Sequence, residues 1–367
     1  MKRTLIIWGA GRIGRGFVAD IFNAPGFRTV FVDIDKPLVN ALNARKFYTI
    51  ANATTAGITE KLIQNGFEAV HTSDSVKLAF LFGLDNLLLD IAVHEPKLVE
   101  VADMLAPLIE ARAMTGKPMD IMMNVNMARP DVYFIKLMHE RLSEPARLYF
   151  DGFVGVTGIF AMCISPLAPE WLKAKDPLAL WNNGYHEQAI SRPALKCPPP
   201  ALPRLRLTED IEREETRKLY TLNMAHALLC YLGLPMGLKT SSEAVKALKD
   251  TLTGALEEAS LGLEHEFGFT EAEMEPWRKI IIDLLENPYI EDGLQRLGAD
   301  TRRKLGASDR LAGPAHLCIK AGGEPVNIMK ALKAGFEYEN DDPGTQEVRQ
   351  YYKENGLEAA IKKYSGF

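Results

Sequence analysis

Three side chains near the middle of the chain have the types and the spacing needed to act together on an alcohol or a carbonyl group. Asn223 follows Lys218 by five residues, and His226 follows Asn223 by three. At about 100° per residue of helix, the three fall within an arc of about 140° and can face one cleft. A lysine drawn partly out of water loses basicity, which suits it to general acid/base catalysis near neutral pH.

The other two members of the group are suited to hold the reacting oxygen. The amide of Asn223 can donate a hydrogen bond to a developing alkoxide. His226 can hydrogen-bond a substrate hydroxyl or fix the position of the lysine. The alternative is a solvated lysine, a helical asparagine and a core histidine with no common task, and composition alone favours that alternative.

A cofactor for such chemistry is indicated at the N-terminus, where an apolar strand at residues 5–8 enters a G-x-G-x-x-G pattern. In this pattern the first glycine permits a tight turn, the second lets the backbone approach a pyrophosphate, and the third lets a helix pack on the strand. Free N–H groups and the dipole at the helix N-terminus favour the phosphates. The predicted cofactor-binding residues of this turn are Gly9, Ala10, Gly11, Arg12, Ile13 and Gly14.

A second apolar strand, at residues 29–32, ends in Asp33, about 20 residues after the turn. An acid at this distance hydrogen-bonds the adenine ribose and repels a 2′-phosphate, which predicts NAD and not NADP. Ala92 and Val93 end a third apolar strand, beside the expected nicotinamide position, and we include them in the cofactor site. Arg12 and Arg15 are expected to approach the pyrophosphate. A plain glycine turn in another α/β protein is the less favoured alternative.

The elements that must position these residues alternate in type over the first half of the chain. Apolar strands at 86–93 and 119–124 flank a helix at 96–114, and a strand-rich stretch is expected from Phe150 to Pro166. This rhythm predicts an α/β fold with an N-terminal Rossmann-type, doubly wound sheet. Five prolines between Arg192 and Arg206 mark a junction, because a proline triplet cannot be helix interior.

Beyond the junction the pattern is mainly α-helical. Thr208 is suited to cap a helix, and further helices are expected at 243–267, 270–285, 326–334 and 345–364. We therefore predict an NAD-binding domain over residues 1–200 and a helical substrate and catalytic domain over residues 201–367.

Composition narrows the class of protein. The 367 residues carry a net charge of −5, which argues against a nucleic-acid partner, and the longest apolar run is too short to span a bilayer. The four cysteines lie far apart, and the seven histidines contain no H-x-x-x-H pair, so no metal site is indicated. We expect a cytoplasmic protein with a small-molecule substrate. The sequence leaves the oligomeric state open, a monomer included.

The segment from Arg217 to Gly233 resembles the K-x4-N-x2-H signature of the polyol-specific long-chain dehydrogenases. Its similarity is greatest to the branch that acts on mannitol 1-phosphate. The resemblance extends over nearly the whole chain, in the segments 9–17, 286–290, 302–311 and 341–343. It implies a zinc-independent dehydrogenase with an active site between two domains. The implied reaction interconverts a polyol or its phosphate and a ketose or its phosphate, here mannitol 1-phosphate and fructose 6-phosphate.

The resemblance also implies roles for individual residues. Lys218 is the general acid/base, and Asn126 joins Asn223 to form an oxyanion hole. Asn126 suits this role by position, since it follows a parallel strand at the edge where ligands of such sheets bind. We take His226 and Arg303 as the substrate-binding residues. Arg303 opens the Arg-Lys-Leu match within a basic segment whose arginines suit phosphate or sugar hydroxyls, although ion pairs with Asp300 and Asp309 are an equally good interpretation.

The chain departs from the family pattern at two places. Val125 stands where an acid usually precedes the asparagine, and Met162 and Cys163 stand where the family has an Asp-Arg pair in the sugar site. Neither replacement can supply the missing charges. The lost pair keeps open an enzyme of the same fold for an unphosphorylated polyol, a hexonate or a hexuronate. A second alternative is a non-catalytic NAD-binding sensor, against which the intact Lys218, Asn223 and His226 argue.

Overall fold

The computed structural model describes residues 2–64, 66–127, 129–290 and 293–367. Contacts divide the chain into two units. The first runs to Ile211, and the second comprises Glu212–Phe367 with the short segment Thr54–Ala56. The first unit thus continues beyond residue 200, because the last strand of its sheet lies after the proline-rich segment.

The strands of the first unit are β1 (Arg3–Trp8), β2 (Phe27–Asp33), β3 (Phe47–Thr54), β4 (Gly57–Gln64), β5 (Phe67–His71), β6 (Leu87–Ile91), β7 (Met119–Met123), β8 (Val154–Phe160), β9 (Leu180–Asn182), β10 (Gln188–Ser191) and β11 (Leu205–Thr208). They form an eight-stranded sheet with the order β11-β10-β8-β7-β6-β1-β2-β5 and a three-stranded sheet with the order β4-β3-β9. The larger sheet is parallel from β8 to β5, as expected for strands of continuous apolar residues, and β10 pairs antiparallel with β8.

Helices connect these strands, and apolar side chains fill the space on both faces of the sheet. In β1, Ile6 and Trp8 belong to one buried cluster, while Leu5 and Ile7 belong to the other. The helices of this unit are α1 (Ala19–Ile21), α2 (Lys36–Arg45), α3 (Ser75–Phe82), α4 (Leu98–Ala113), α5 (Pro130–His139), α6 (Glu144–Phe153) and α7 (Glu170–Lys175), with a π-helical turn at Gly14–Val18.

The second unit is helical in its described part. Its central helix, α9, is almost wholly buried and packs against α10, α12 and α15. The helices are α8 (Ile211–Lys218), α9 (Met224–Gly233), α10 (Ser241–Phe267), α11 (Glu271–Glu286), α12 (Leu294–Gly298), α13 (Thr301–Lys304), α14 (Ala312–Lys320), α15 (Val326–Glu337) and α16 (Pro343–Ala360), with π-helical turns at Leu219–Asn223 and Ile361–Ser365. The predicted fold class, a Rossmann-type sheet followed by a mainly helical domain, is confirmed.

Two local predictions are wrong. The strand expected from Phe150 begins only at Val154, because α6 extends to Phe153 and buries Ala146 and Phe150 at helical spacing. Thr208 does not cap a helix. It ends β11, pairs with Ser191 of β10, and its hydroxyl accepts the N–H of Asp210 at 3.2 Å. Pairing with β10 overrides the capping signal at Thr208.

Within the described residues, every helix is too short or too polar to cross a membrane.

Candidate functional site

The glycine-rich turn after β1 is closely packed on one side and open on the other. Gly9 has φ +105°, and a Cβ on it would lie 2.3 Å from the Ala92 carbonyl oxygen. A Cβ on Gly14 would lie 2.1 Å from the Gly9 carbonyl oxygen, whereas one on Gly11 would meet nothing within 4 Å. The two outer glycines are thus required for packing, and the middle one faces open space. This cradle fits the pyrophosphate of a dinucleotide.

Asp33 and Arg15 fix the turn from two sides. The Asp33 carboxylate accepts the Ala10 N–H at 2.7 Å and the Asp35 N–H at 2.9 Å. Arg15 is buried and donates to the carbonyl oxygens of Ala10 at 2.6 Å and Leu178 at 2.8 Å. Burial lowers the pKa of its guanidinium. Contrary to expectation, Arg15 therefore supports the turn from within the protein.

The remaining predicted cofactor residues lie at the same sheet edge. Arg12 is exposed, and Ile13 is half-buried at the start of the π-helical turn. The half-buried Ala92 donates its N–H to the Trp8 carbonyl at 2.8 Å, which continues the pairing of β6 with β1. The side chain of Val93 would contact a Cβ on Gly9. The ends of β1, β2 and β6 therefore bring the predicted cofactor residues together.

Asn126 lies in the bend that follows β7, and its side chain is exposed. The bend is tight, since the Met127 N–H donates to the Val125 carbonyl at 2.9 Å. Its first residue is tied to the neighbouring strand, because the Asn124 amide donates to the carboxyl of Asp90 in β6. The hydrogen bond joins the ends of β6 and β7 just below the loop that carries Asn126.

Asp90 is a further polar residue of this edge, and its one signal in the sequence is that an acid inside an apolar parallel strand is unusual. The side chain is fully buried, and its Oδ1 atom has no hydrogen-bond partner. Burial raises the pKa of this carboxyl to about 8, an effect that the Asn124 amide partly offsets. At neutral pH we therefore expect Asp90 to be protonated.

This buried acid predicts a pH dependence of stability. In the unfolded chain Asp90 ionises near the ordinary aspartate pKa of about 3.9, whereas the folded chain keeps the proton up to about pH 8. Between these values the folded state binds more protons, so this group makes the free energy of unfolding fall as pH rises, by up to about 1.4 kcal/mol per unit. We expect Asp90→Asn to remove this contribution. In urea unfolding at pH 5, 6, 7 and 8, the free energy of unfolding of the variant should rise relative to that of the parent as pH rises. A difference between the two that does not change with pH would contradict the raised pKa of Asp90.

The positions that replace the family's Asp-Arg pair follow β8 and belong to the core. Met162 is buried, and its carbonyl accepts the Asn183 amide at 2.9 Å. Cys163 is half-buried and packs against the cluster that contains Ile190 and Leu205. These two side chains bring no charge to this part of the chain, as the sequence predicts.

In the second unit, Lys218, Asn223 and His226 share one continuous helix and are all half-buried. The helix differs from expectation in one respect. Between Lys218 and Met224 it forms a π-helical turn, in which backbone hydrogen bonds join residues five apart. The angular estimate from ordinary helical periodicity therefore does not apply to this segment. Short π-helical turns occur frequently at functional sites.

The basic segment that includes Arg303 is already rich in ion pairs. The Arg303 guanidinium is half exposed, hydrogen-bonds the Asp300 carboxylate and lies 3.6 Å from that of Asp309. Arg310 is buried and pairs with Asp309 at 2.7 Å. A phosphate group would therefore compete with two carboxylates for this site.

Lys304 and Tyr220 connect this segment to the rest of the unit. Lys304 is buried and donates to the Leu297 carbonyl at 2.6 Å. Its burial and the positive charges of the nearby Arg310 and Arg303 lower the pKa of its amine to about 8. Tyr220, in the π-helical turn, donates its hydroxyl to the Ser308 carbonyl at 3.1 Å. The lysine-bearing helix and the basic segment are thus in direct contact.

No cluster of three or more potential metal-ligating side chains is found in the part of the chain that the structure describes.

Two family models together match almost the whole chain. The model described as the mannitol dehydrogenase Rossmann domain matches residues 3–203, and the model described as the mannitol dehydrogenase C-terminal domain matches residues 210–363.

Solved structures with the same architecture include two polyol dehydrogenases. A D-sorbitol dehydrogenase in substrate-free form is 15% identical, with a TM-score of 0.79 over 98% of this chain and 95% of its own. Mannitol 2-dehydrogenase of Pseudomonas fluorescens, in a ternary complex with NAD and D-mannitol, is 12% identical. Its TM-score is 0.71 over 99% of this chain and 94% of its own. At sequence identities this low, the similarity to these two structures shows a shared fold alone.

Proposed function

Because the chain belongs to the mannitol dehydrogenase family, and is accordingly an NAD-dependent polyol dehydrogenase, we propose that it interconverts mannitol 1-phosphate and fructose 6-phosphate. The proposed activity is that of a mannitol-1-phosphate 5-dehydrogenase. One observation carries the catalytic assignment: Lys218, Asn223 and His226 lie on the same helix, and all three side chains are half-buried.

Each of these side chains has a proposed role in oxidation of the polyol. The amine of Lys218 takes the proton of the reacting hydroxyl, and in the reverse direction it returns the proton to the ketose oxygen. The amides of Asn126 and Asn223 donate hydrogen bonds to that oxygen as it gains negative charge. His226 holds the substrate or the lysine. When bound, NAD supplies the acceptor for the hydride that leaves the substrate carbon.

The proposed mechanism uses no metal. Lys218 and the two asparagines stabilise the developing charge, which is the task that a zinc ion performs in other alcohol dehydrogenases. We therefore expect activity to persist in EDTA.

What supports a phosphorylated substrate is the resemblance to the phosphate-specific branch, together with four cations in the nine positions 302–310. A planar arginine fork such as Arg303 suits the oxygens of a phosphate. The competing candidate is an unphosphorylated polyol or a hexonate. It is favoured by the carboxylates that already pair with Arg303, and the two solved relatives are named for sorbitol and mannitol.

A substrate panel decides between these functions. NADH absorbance is followed at neutral pH in EDTA with fructose 6-phosphate, fructose and hexuronates, using the parent and Lys218→Ala. Turnover of fructose 6-phosphate alone, lost in the variant, supports the proposal. Turnover of another keto-sugar replaces the substrate but keeps the catalytic residues. Tight NADH binding without turnover of any of them supports the non-catalytic sensor.

The phosphate assignment makes a separate prediction for Arg303. Arg303→Ala is expected to raise the KM for fructose 6-phosphate at least about 10-fold, because a charge-assisted hydrogen bond is worth about 1.5–3 kcal/mol. Arg278→Ala is the matched control, since Arg278 also pairs with a carboxylate, that of Glu271, but lies in α11. An equal KM in the Arg303 variant and the control would exclude a phosphate contact at Arg303.

A further inference from the structure

The π-helical turn at Leu219–Asn223 determines how Lys218 and Asn223 face each other. Residues five apart on an ordinary α-helix are separated by about 140° around its axis. In a π-helical turn the backbone hydrogen bonds join residues five apart, so these positions come to lie nearly one above the other. We therefore expect the turn to bring Lys218 and Asn223 toward the same side of the helix.

A buried side-chain contact lies within this turn. The Thr221 hydroxyl donates to the Arg217 carbonyl at 2.5 Å, and the Trp277 indole N–H donates to the same hydroxyl oxygen at 3.0 Å. The Thr221 side chain is fully buried, and Trp277 is 6% exposed. A threonine hydroxyl bonded to the carbonyl four residues earlier competes with the regular backbone ladder and bends a helix.

The indole determines the direction of the threonine hydrogen bond. An indole N–H can only donate, so the Thr221 oxygen must accept from Trp277, and its single hydrogen is left for the Arg217 carbonyl. Trp277 is itself held in place, because the Arg217 guanidinium lies 4.0 Å from its ring centroid. Arg217 in turn hydrogen-bonds Glu214, and both are buried.

We propose that Thr221 and Trp277 are positioning residues whose buried hydrogen bond maintains the π-helical turn and thereby the alignment of Lys218 with Asn223. The inference rests on the proposed function for its catalytic consequence. Without the hydroxyl, the turn relaxes toward α-helical geometry and the two side chains separate toward about 140°. A displacement of about 1 Å can lower a rate 100-fold, so we expect kcat to fall about 10- to 100-fold.

The experiment compares four variants of the full chain. Thr221→Val keeps the shape of the side chain and removes the hydroxyl, Thr221→Ser keeps the hydroxyl, and Trp277→Phe removes the indole donor. Ser260→Ala is the matched control, because the buried Ser260 hydroxyl also donates to a carbonyl four residues earlier, that of Leu256, inside α10. All four are assayed for kcat, KM and thermal stability, and the crystal structure of Thr221→Val is determined.

We expect Thr221→Val and Trp277→Phe to lose kcat with little change in KM, Thr221→Ser to retain it, and Ser260→Ala to lose stability alone. Parent-like kcat in Thr221→Val, or an equal kcat loss in Ser260→Ala, would overturn the inference. If the parent reduces none of the substrates, the proposed function fails. The crystal structure of Thr221→Val then still decides whether the Thr221 hydroxyl maintains the π-helical turn. A retained π-helical turn in Thr221→Val overturns the inference, and an α-helical turn supports it.

Discussion

Replacing Lys218 with alanine is expected to lower the rate of ketose reduction about 100- to 10,000-fold, which is the usual contribution of a general acid/base. This lysine is half-buried and lies one residue before the π-helical turn. We propose that it transfers a proton there to a substrate held by Asn223. NADH affinity should be unchanged, because the predicted cofactor residues belong to the other unit. Steady-state assays and a fluorescence titration of NADH measure the two quantities.

Two further variants test whether the proton, and not merely the charge, matters. Lys218→Arg keeps a positive charge but cannot release a proton in the working pH range, so it should be as inactive as the alanine variant. Lys249→Ala is the control, because Lys249 is an ion-paired lysine on the surface of α10. Small primary amines added to Lys218→Ala should restore part of the rate. An arginine variant with parent-like activity would refute the acid/base role.

The first unit was largely predictable because its signals are local. A buried strand, a glycine pattern and an acid at a set distance indicate the same structure, and Ala10 and Asp33 are in direct contact, as that pattern implies. The resemblance to the polyol-specific dehydrogenases is likewise confirmed at the level of the family. The specific phosphate enzyme stays a prediction.

What the sequence did not reveal depends on contacts between distant segments. β11 forms because Leu205–Thr208 pairs with β10, and these four residues adjoin the prolines that were interpreted as a domain junction. The apolar spacing from Ile211 to Leu232 predicts an ordinary helix, and the π-helical turn lies inside that segment. The residue that holds it from outside, Trp277, lies more than fifty positions away. Asp90 acquires its raised pKa only from burial within the sheet.

The candidate site shows the same division. The sequence predicts Lys218, Asn223 and His226 as the catalytic group from their types and spacing, and their roles stay predictions. For the basic residues at 302–310 the sequence leaves two interpretations open, anion binding and ion pairs with Asp300 and Asp309, and the structure shows Arg303 paired with Asp300 and Arg310 with Asp309. Whether such a segment binds an anion depends on the geometry of those pairs, which residue spacing does not determine.

The three glycines of the cofactor turn differ in what surrounds them, and this difference predicts opposite effects of the same substitution. A Cβ at position 14 would overlap the Gly9 carbonyl oxygen at 2.1 Å and crowd the Ile7 side chain at 2.9 Å. A Cβ at position 11 would meet no atom of the protein within 4 Å. Gly14 is therefore needed by the fold, whereas Gly11 is needed only where the backbone approaches a ligand.

We expect Gly14→Ala to destabilise the protein by about 3 kcal/mol, since backbone atoms must shift to admit the methyl group, and to lower the unfolding midpoint by roughly 6–12 °C. Gly11→Ala should change the free energy of unfolding by less than about 0.5 kcal/mol. It should nevertheless weaken NADH binding about 10- to 100-fold, since its methyl group occupies the open side of the turn. Thermal unfolding without cofactor and a fluorescence titration of NADH separate the two effects. A Gly11→Ala variant that binds NADH like the parent would show that the pyrophosphate does not lie against this turn.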